Sequence, residues 1–161
     1  TRQTICGLVA KGCYTHFGTK SIYYTQGTGA HVVAGRIRGR WQEMGWEKSR
    51  LGYPTSSERC GLIRGGCFSN FQNGKIHWSP KSGAWPTWGA IQNAWAKDQY
   101  ERGKLGYPTS MERHSGRGAP ENHRIQNFEY GFLYWDGKNV TGEWTDPGCP
   151  SCRVERRVMP R

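Results

Sequence analysis

The sequence predicts a mainly β protein with short helices, built as tandem small α+β repeats. Three observations predict this class. The chain repeats itself with a period of 54 residues. It is rich in Gly, Trp and Tyr, with 23, 8 and 8 residues, and its short strand-like runs precede a segment with helical spacing. A unit this small is near the limit for a self-sufficient core, so neighbouring repeats must stabilise one another by stacking.

The repeat is visible without gaps. Residues 5–58 and 59–112 are identical at 20 of 54 positions, where unrelated chains share about three. Both copies end in Leu-Gly-Tyr-Pro-Thr-Ser, at residues 51–56 and 105–110. A third, partial copy follows at an offset of 57 and matches the second at Asn127, Phe128, Gly131 and Trp135. We therefore predict repeats at 1–58 and 59–112, a partial repeat at 113–148, and a Cys-containing basic tail at 149–161.

Each copy begins with segments that favour β-hairpins. Cys6 and Cys13 flank a short turn with Gly12 near its end, and strand pairs follow at 14–17 with 21–25 and at 68–71 with 75–79. In the second copy, Ile76 and Trp78 alternate with Lys75 and His77. Period two predicts one buried face, carrying Ile76 and Trp78, and one solvent-facing side.

A helix of about ten residues is predicted after Gly35, because Ile37, Trp41 and Met44 fall at i, i+4 and i+7. The second copy repeats the pattern after Gly89, and we expect Gly103 to end that helix as a C-terminal cap. In the Leu-Gly-Tyr-Pro motif, Gly permits a backbone conformation closed to other residues, and Pro fixes φ.

These motifs resemble the LGFP repeat family, named for a Leu-Gly-Phe-Pro tetrapeptide, with Tyr53 and Tyr107 in the Phe place. The other matching residues are Phe71, Gly74, Ile76 and Trp78, then Gly35, Ile37 and Trp41, and then Gly89, Ile91 and Trp95. The resemblance covers about residues 5–145. It implies a small antiparallel four-stranded β unit with a linking helix, and units stacked into a stalk.

The resemblance also implies a setting and a ligand. Such repeats are found in envelope proteins of mycolic-acid bacteria, attached to mycoloyltransferases and cell-wall hydrolases, where the array is thought to hold cell-wall polysaccharide. Within these 161 residues no enzyme domain accompanies the repeats.

Six cysteines fall in three close pairs. Cys6/Cys13 and Cys60/Cys67 share one spacing, and the third copy lacks both partners, which predicts disulfides in each pair. Zinc binding is the alternative, but only Cys149/Cys152 has the usual C-x2-C spacing. We predict a disulfide there too, with no metal and no cofactor. Disulfides indicate an oxidising compartment, so the protein is expected to be secreted or associated with the cell wall.

The formal net charge is +11. Arg36, Arg38 and Arg40 alternate before Trp41, and a second cluster lies in the tail. This charge either keeps a solvated face soluble or attracts the polyanionic groups of a wall. Nucleic acid is a weaker partner because disulfides indicate the outside of the cell. No apolar run approaches the ~18 residues that span a bilayer, so no membrane span is predicted.

The sequence shows no convincing active site, and a non-enzyme is predicted. The five histidines are scattered, and no metalloprotease or nucleophile-elbow motif occurs. Asp136 and Glu143 are carboxylates present in one copy, a pair that would suit a glycosidase if their separation allowed it.

Aromatic residues are the candidate ligand contacts. The recurring sets are expected to be core, and they are Tyr24/Trp78/Trp135, Trp41/Trp95 and Tyr53/Tyr107. Trp85 and Trp88 occur in one copy only, and Tyr100 stands at the position equivalent to Trp46. Flat rings of this kind suit sugar stacking, with Arg36, Arg38 and Arg40 attracting acidic groups. Packing between adjacent repeats is the competing explanation for Trp85 and Trp88.

The favoured function is a non-catalytic module that binds wall polysaccharide and anchors a protein to the peptidoglycan–arabinogalactan envelope. The second hypothesis is a protein-interaction or assembly subunit of a secreted or envelope complex, with a separate chain carrying the activity. A small cell-wall hydrolase comes third.

Overall fold

The computed structural model describes residues 3–146, 149–153 and 157–159. These residues form three antiparallel sheets and two α-helices, which confirms the mainly β class. The first sheet has the order β1-β2-β3-β4. Its strands are β1 (Ile5–Cys6), β2 (Cys13–Phe17), β3 (Lys20–Thr25) and β4 (Gly29–Ala34). Helix α1 (Gly35–Glu43) follows directly.

The second sheet repeats this order. Its strands are β5 (Arg59–Leu62), β6 (Gly66–Phe71), β7 (Gly74–Ser79) and β8 (Gly83–Thr87), and α2 (Gly89–Lys97) follows. Both helices have nine residues, close to the predicted ten. The four-stranded unit with a linking helix is therefore observed in both copies.

The third sheet has six strands. Its main path is β13-β12-β11-β10-β9, and β14 pairs with β12. The strands are β9 (Arg113–His114), β10 (Arg124–Phe128), β11 (Gly131–Trp135), β12 (Val140–Asp146), β13 (Cys149–Arg153) and β14 (Arg157–Val158). The third repeat thus has the four strands of the other two, while no helix follows β12 among the described residues. The predicted repeat boundaries near residues 58 and 112 stay predictions.

The chain divides into two compact units, Thr1–Ala84 and Trp85–Arg161. In each unit a helix of one repeat packs beside the hairpin of the next. The Trp41 ring lies 5.2 Å from the Phe71 ring in the first unit, and the Trp95 ring lies 5.4 Å from the Phe128 ring in the second. Trp41 and Trp95 are fully buried, as predicted. Aromatic rings buried between helix and hairpin therefore contribute to the hydrophobic core of each unit.

The Leu-Gly-Tyr-Pro motif joins one repeat to the next within each unit. The N–H groups of Gln72 and Asn73 donate to the carbonyls of Tyr53 and Leu51, at 3.0 and 3.1 Å. In the second unit, the N–H groups of residues 129 and 130 donate to the carbonyls of residues 107 and 105 in the same way. The motif is thus a clasp of backbone hydrogen bonds on the tip of the following hairpin.

The glycine of this motif is required by both its backbone and its surroundings. Gly52 has φ +71°, in the left-handed region that L side chains rarely adopt. A Cβ there would also lie 2.5 Å from the Gln72 side-chain oxygen. The expectation that this Gly has a special backbone conformation is confirmed.

The disulfides Cys6–Cys13 and Cys60–Cys67 are confirmed. Each links directly opposed residues of a hairpin, with Cα atoms 4.1 and 4.0 Å apart. Cys149 and Cys152 lie on β13, where side chains are outside the described part of the structure, so the third disulfide and the role of the basic tail stay predictions.

The expected alternation along β7 is wrong for His77. Ile76 is buried, but His77 is only 4% exposed and its ring stacks on Phe68 at 5.4 Å. Phe68 is the residue opposite His77 on β6. Both faces of the strand are covered here, so period two does not separate a dry face from a wet one. Burial lowers the pKa of the His77 imidazole to about 3, with a smaller contribution from the Lys75 charge.

Two further expectations are corrected. Tyr24 is 46% exposed rather than core, and its neighbour Tyr23 is the buried ring of β3. Its repeat partners Trp78 and Trp135 are half-buried.

Gly103 does not end α2, which stops at Lys97. It follows the short 3-10 turn Tyr100–Arg102 with extended backbone, and a Cβ there would collide with Asp98. Space, rather than φ, explains this glycine.

The helices of the described residues are too short or too polar to cross a lipid bilayer.

Candidate functional site

A groove lies beside α1 in the first unit, with a volume of about 590 Å³. We call it the first groove. Residues of α1 line one side, and β7, β8 and their connecting turn line the other. The lining residues are Gly35, Arg36, Gly39, Arg40, Glu43, Trp78, Pro80, Gly83 and Ala84.

The charges of the first groove differ in how they are held. Arg40 is fixed, because its Nε donates to the Ala84 carbonyl at 2.8 Å and its Nη1 pairs with the Glu43 carboxylate at 2.6 Å. Arg36 is exposed and makes no hydrogen bond or ion pair with a described residue. Its guanidinium is thus available to an anionic group in the groove.

Glycine keeps the first groove open. Gly39 lies inside α1, where Gly is less stable than Ala by about 1 kcal/mol. A Cβ on Gly39 would meet no atom within 4 Å. Packing therefore does not require glycine at this position, and a larger side chain would extend into open space.

A second groove of about 530 Å³ lies beside α2 in the second unit. It has an apolar floor and two ammonium groups and two amides at its edges. The lining residues are Ala90, Asn93, Ala94, Ala96, Lys97, Lys138, Asn139, Val140 and Met159. The Asp136 carboxylate shapes one edge, because it accepts from the N–H groups of Lys138 and Asn139 at 2.8 and 2.6 Å.

The two grooves occupy the same place in the repeat. Four helix positions line both grooves, and one β-hairpin position, at an offset of 57 residues, lines the opposite side of each. The helix pairs are Arg36/Ala90, Gly39/Asn93, Arg40/Ala94 and Glu43/Lys97, and Gly83/Val140 is a hairpin pair. The sequence repeat therefore becomes a repeated groove, with a charged helix face in one copy and a small apolar face in the other.

A smaller pocket of about 210 Å³ lies on the other side of α1, among aromatic rings. We call it the aromatic pocket. Its lining residues are Leu8, Tyr14, His16, Tyr23, Gly45, Trp46, Glu47 and Lys48. The Trp46 ring lies 5.8 Å from the Tyr23 ring at an angle of 25°, and the Tyr14 ring stacks on Tyr23 at 5.3 Å.

The backbone before the pocket is unusual. Gly45 and Trp46 have φ of +99° and +58°, in the left-handed region. Tyr100, the residue that answers Trp46, also has a positive φ, of +56°. A bulky residue there costs about 1–3 kcal/mol, which the surrounding packing must offset. Trp41 contributes to that packing, since its ring meets Trp46 edge-on at 5.2 Å.

The structure separates the three predicted arginines. Arg36 and Arg40, four residues apart, share the first groove, while Arg38 points to the aromatic pocket. Its guanidinium lies 5.0 Å from the centre of the Trp46 ring, and its Nε donates to the Ser21 hydroxyl at 2.5 Å. An α-helix turns by about 100° per residue, so residues two apart cannot share one face.

The predicted tryptophans are also separated. Trp46 lines the aromatic pocket. Trp88 is 6% exposed and precedes α2 as its N-cap residue, which contradicts the open stacking face assigned to it. Trp85 is half-buried on β8, and neither it nor Trp88 lines either groove. The burial of Trp88 favours packing, the competing explanation for this residue, over sugar stacking.

Several lining residues were missed by sequence reasoning. Trp78 was assigned to the core because it recurs, although it lines the first groove. Tyr14 and Glu47 were not singled out as ligand contacts. The signal for Tyr14 was weak, because an aromatic residue also stands at the equivalent Phe68.

Two groups bear on catalysis and metal binding. Hydrogen bonds from the backbone N–H groups of Asn139 and then Lys138 lower the pKa of Asp136, whereas a general acid needs a raised pKa. Among the described side chains, Glu58, Cys60 and Cys67 are close enough together to bind a metal ion. The two sulfur atoms form a disulfide and cannot serve as thiolate ligands.

Comparison with known proteins gives one family. Residues 1–49 and 51–103 each match a family model described as LGFP repeat. No curated protein matches the chain in sequence.

Proposed function

The chain belongs to the LGFP repeat family, and from this we propose that it is a non-catalytic module that binds wall polysaccharide of the peptidoglycan–arabinogalactan type. The repeated groove is the single observation that carries the proposal. A polymer presents the same chemical group at regular intervals, and the tandem repeat presents a groove at the equivalent place of two successive copies, with a different helix face in each.

The lining of the first groove supports an acidic saccharide as its ligand. The Trp78 indole offers an aromatic surface for the apolar face of a sugar ring, and the free Arg36 guanidinium offers a partner for a carboxylate or phosphate. The second groove offers Lys97 and Lys138 at its edges. Each groove is open and carries few charged groups, so one groove alone is expected to bind weakly. Several grooves acting together would raise the overall affinity through avidity.

The extracytoplasmic setting is part of the proposal. Two disulfides favour an oxidising compartment, because thiols are kept reduced in the cytosol. The high net charge of +11 favours retention on an anionic wall.

The first test is retention of the chain on purified insoluble peptidoglycan and on arabinogalactan, in low and high salt. Arg36→Glu is expected to lower retention more than Arg59→Glu, which makes the same charge change at an exposed site on β5 outside both grooves. A purely non-specific charge effect would give equal losses for the two variants and would count against the groove.

The second test fills the grooves without removing a binding group. Gly39→Leu places a side chain in the first groove, and Asn93→Leu does so at the equivalent position of the second. Each is expected to weaken retention, and together they should weaken it more than either alone. Failure of the unaltered chain to bind either polymer, or full retention of the double variant, would refute the proposal. Capture of a protein partner instead would favour the assembly-subunit hypothesis.

A further inference from the structure

Glu47 lines the aromatic pocket, and no described residue donates a hydrogen bond to its carboxylate. Glu47 is 8% exposed, and it makes no hydrogen bond or ion pair with any described residue. It lines the pocket floor near two phenols. Burial raises the pKa of the Tyr23 phenol, and the Glu47 charge raises it further; the same two causes raise the pKa of Tyr53.

A carboxylate that lines a pocket and has no protein donor keeps its acceptor oxygens available to a ligand. Hydrogen bonds to an ionised acceptor are stronger than those between neutral groups. The pocket beside Glu47 is therefore a place where a ligand that brings hydrogen-bond donors would be stabilised.

The positive charges around the pocket favour neutral hydroxyl donors over ammonium groups as the ligand. The Arg38 guanidinium already lies over the Trp46 ring, and Lys48 is part of the lining. After burial, the Arg38 charge is the second cause that lowers the pKa of the His16 imidazole, so the positive potential reaches the pocket wall. An ammonium ligand would be repelled by these groups, whereas neutral hydroxyl groups would not.

We propose that the aromatic pocket binds one neutral sugar ring, with two adjacent hydroxyl groups donating to the Glu47 carboxylate and the apolar face of the ring against Trp46. A hydrogen bond to an ionised acceptor is stronger than one between neutral groups. The aromatic rings exclude water on the other side of the sugar. This inference rests on the proposed function, since it names the sugar class that a second site on the same repeat accepts.

The test follows the Trp46 indole N–H by NMR while the whole chain is titrated with methyl arabinofuranoside, methyl galactopyranoside or tetramethylammonium. The Trp46→Tyr variant assigns the signal and uses the residue that stands at position 100 of the second repeat. A neutral methyl glycoside is expected to shift the signal with a Kd on the order of millimolar, as suits one sugar ring. Tetramethylammonium is expected to leave it unchanged.

Two variants report on the pocket. Glu47→Gln replaces one acceptor oxygen by an amide and should weaken sugar binding about tenfold, while Glu101→Gln, the same change in the second repeat, should not. Gly45→Gln fills the pocket and keeps Glu47. Gln already stands at the equivalent position 99 with a positive φ of +64°, so the backbone tolerates it. This variant should abolish the shift.

The outcomes separate the two proposals. No shift with any neutral glycoside, a shift that survives Gly45→Gln, or a response to tetramethylammonium that Glu47→Gln removes would overturn the pocket proposal. If wall polymer is still retained through Arg36 and Gly39 in that case, the proposed function stands alone. If a glycoside binds in the pocket but no polymer is retained, the proposed function fails while the pocket proposal does not.

Discussion

The phenol hydroxyl of Tyr53 donates a 2.6 Å hydrogen bond to the backbone carbonyl of Val9. The N–H of the same residue donates to the Gln72 side chain at 2.9 Å, and its carbonyl accepts from the Gln72 N–H at 3.0 Å. One residue of the repeated motif therefore ties the turn of the first hairpin to the tip of a hairpin in the next repeat. Tyr53 is only 2% exposed, so its side chain also contributes apolar burial to this joint.

Removing the Tyr53 hydroxyl should weaken that joint. Tyr53→Phe is expected to lower the free energy of unfolding by about 1 kcal/mol, because the hydroxyl's hydrogen bond to the Val9 carbonyl is lost while the ring stays packed. The Val9 carbonyl still accepts from the Gly12 N–H. Urea denaturation measures the change. Tyr24→Phe is the control, since Tyr24 is 46% exposed and should lose almost nothing. Equal effects of the two changes would show that the hydrogen bond is not stabilising.

Two glycine-to-alanine changes should have opposite effects on the stability of the protein. Gly52→Ala forces a side chain to φ +71° and against Gln72, and is expected to destabilise the chain by more than about 1 kcal/mol. Gly39→Ala adds a methyl group inside α1 with no atom within 4 Å, and should stabilise it by about 0.5–1 kcal/mol. Melting temperatures of the two variants decide the matter. A loss of stability in Gly39→Ala would mean that its surroundings are more crowded than the structure shows.

Acid should destabilise the protein through His77. Its pKa is about 3 in the folded protein and 6.5 when unperturbed. Above pH 6.5 the imidazole is neutral in both states, and its contribution is fully present. As pH falls below 6.5, the imidazole becomes protonated in the unfolded chain but stays neutral in the folded protein. The free energy of unfolding therefore falls by up to about 1.4 kcal/mol per pH unit until the pH reaches the folded-state pKa.

The His77→Tyr variant isolates this effect. Tyr stands at the equivalent positions 23 and 134, so the substitution uses a side chain that the repeat already accepts. Urea denaturation at several pH values between 3 and 7 should show a shallower acid loss in the variant. Parallel pH profiles for the two proteins would rule out His77 as the acid-sensitive group.

Replacing Trp88 should destabilise the fold rather than remove a ligand contact. Trp88→Ala empties a site that is 6% exposed, and a cost of about 3–5 kcal/mol is expected. Trp85→Ala should cost less, because that side chain is half-buried. Melting temperature and retention on wall polymer are measured together. A Trp88→Ala protein that has the melting temperature of the unaltered chain but no longer binds wall polymer would support the role in sugar stacking that the sequence predicts for Trp88.

The hairpin disulfides should be stabilising in a way that depends little on their neighbours. Replacing both Cys60 and Cys67 by Ser is expected to cost about 2–3 kcal/mol, since the eight-residue loop gains freedom in the unfolded chain. Mass mapping of the unreduced protein tests the predicted Cys149–Cys152 pair at the same time. Free thiols at Cys149 and Cys152 would reject that pair.

Most of the fold was predictable because the sequence repeats. Cys6 and Cys13, present and absent together, identified a cross-strand pair, and the Ile37/Trp41 spacing identified α1. Local backbone preferences and periodicity act over a few residues, and one sequence read twice shows which positions are structural. The left-handed Gly52 was predicted for the same reason.

What tertiary structure alone decided was which partner each surface meets. Recurrence made Trp78 look like core, but it borders the first groove, and single occurrence made Trp88 look like surface, but it is buried. His77 is buried because Phe68 covers it from the adjacent strand β6. Periodicity tells which face a side chain is on, but burial depends on what packs against that face. The partners come from the next repeat or the adjacent strand, and their position is set by the clasp at Tyr53 and by the helix beside each hairpin.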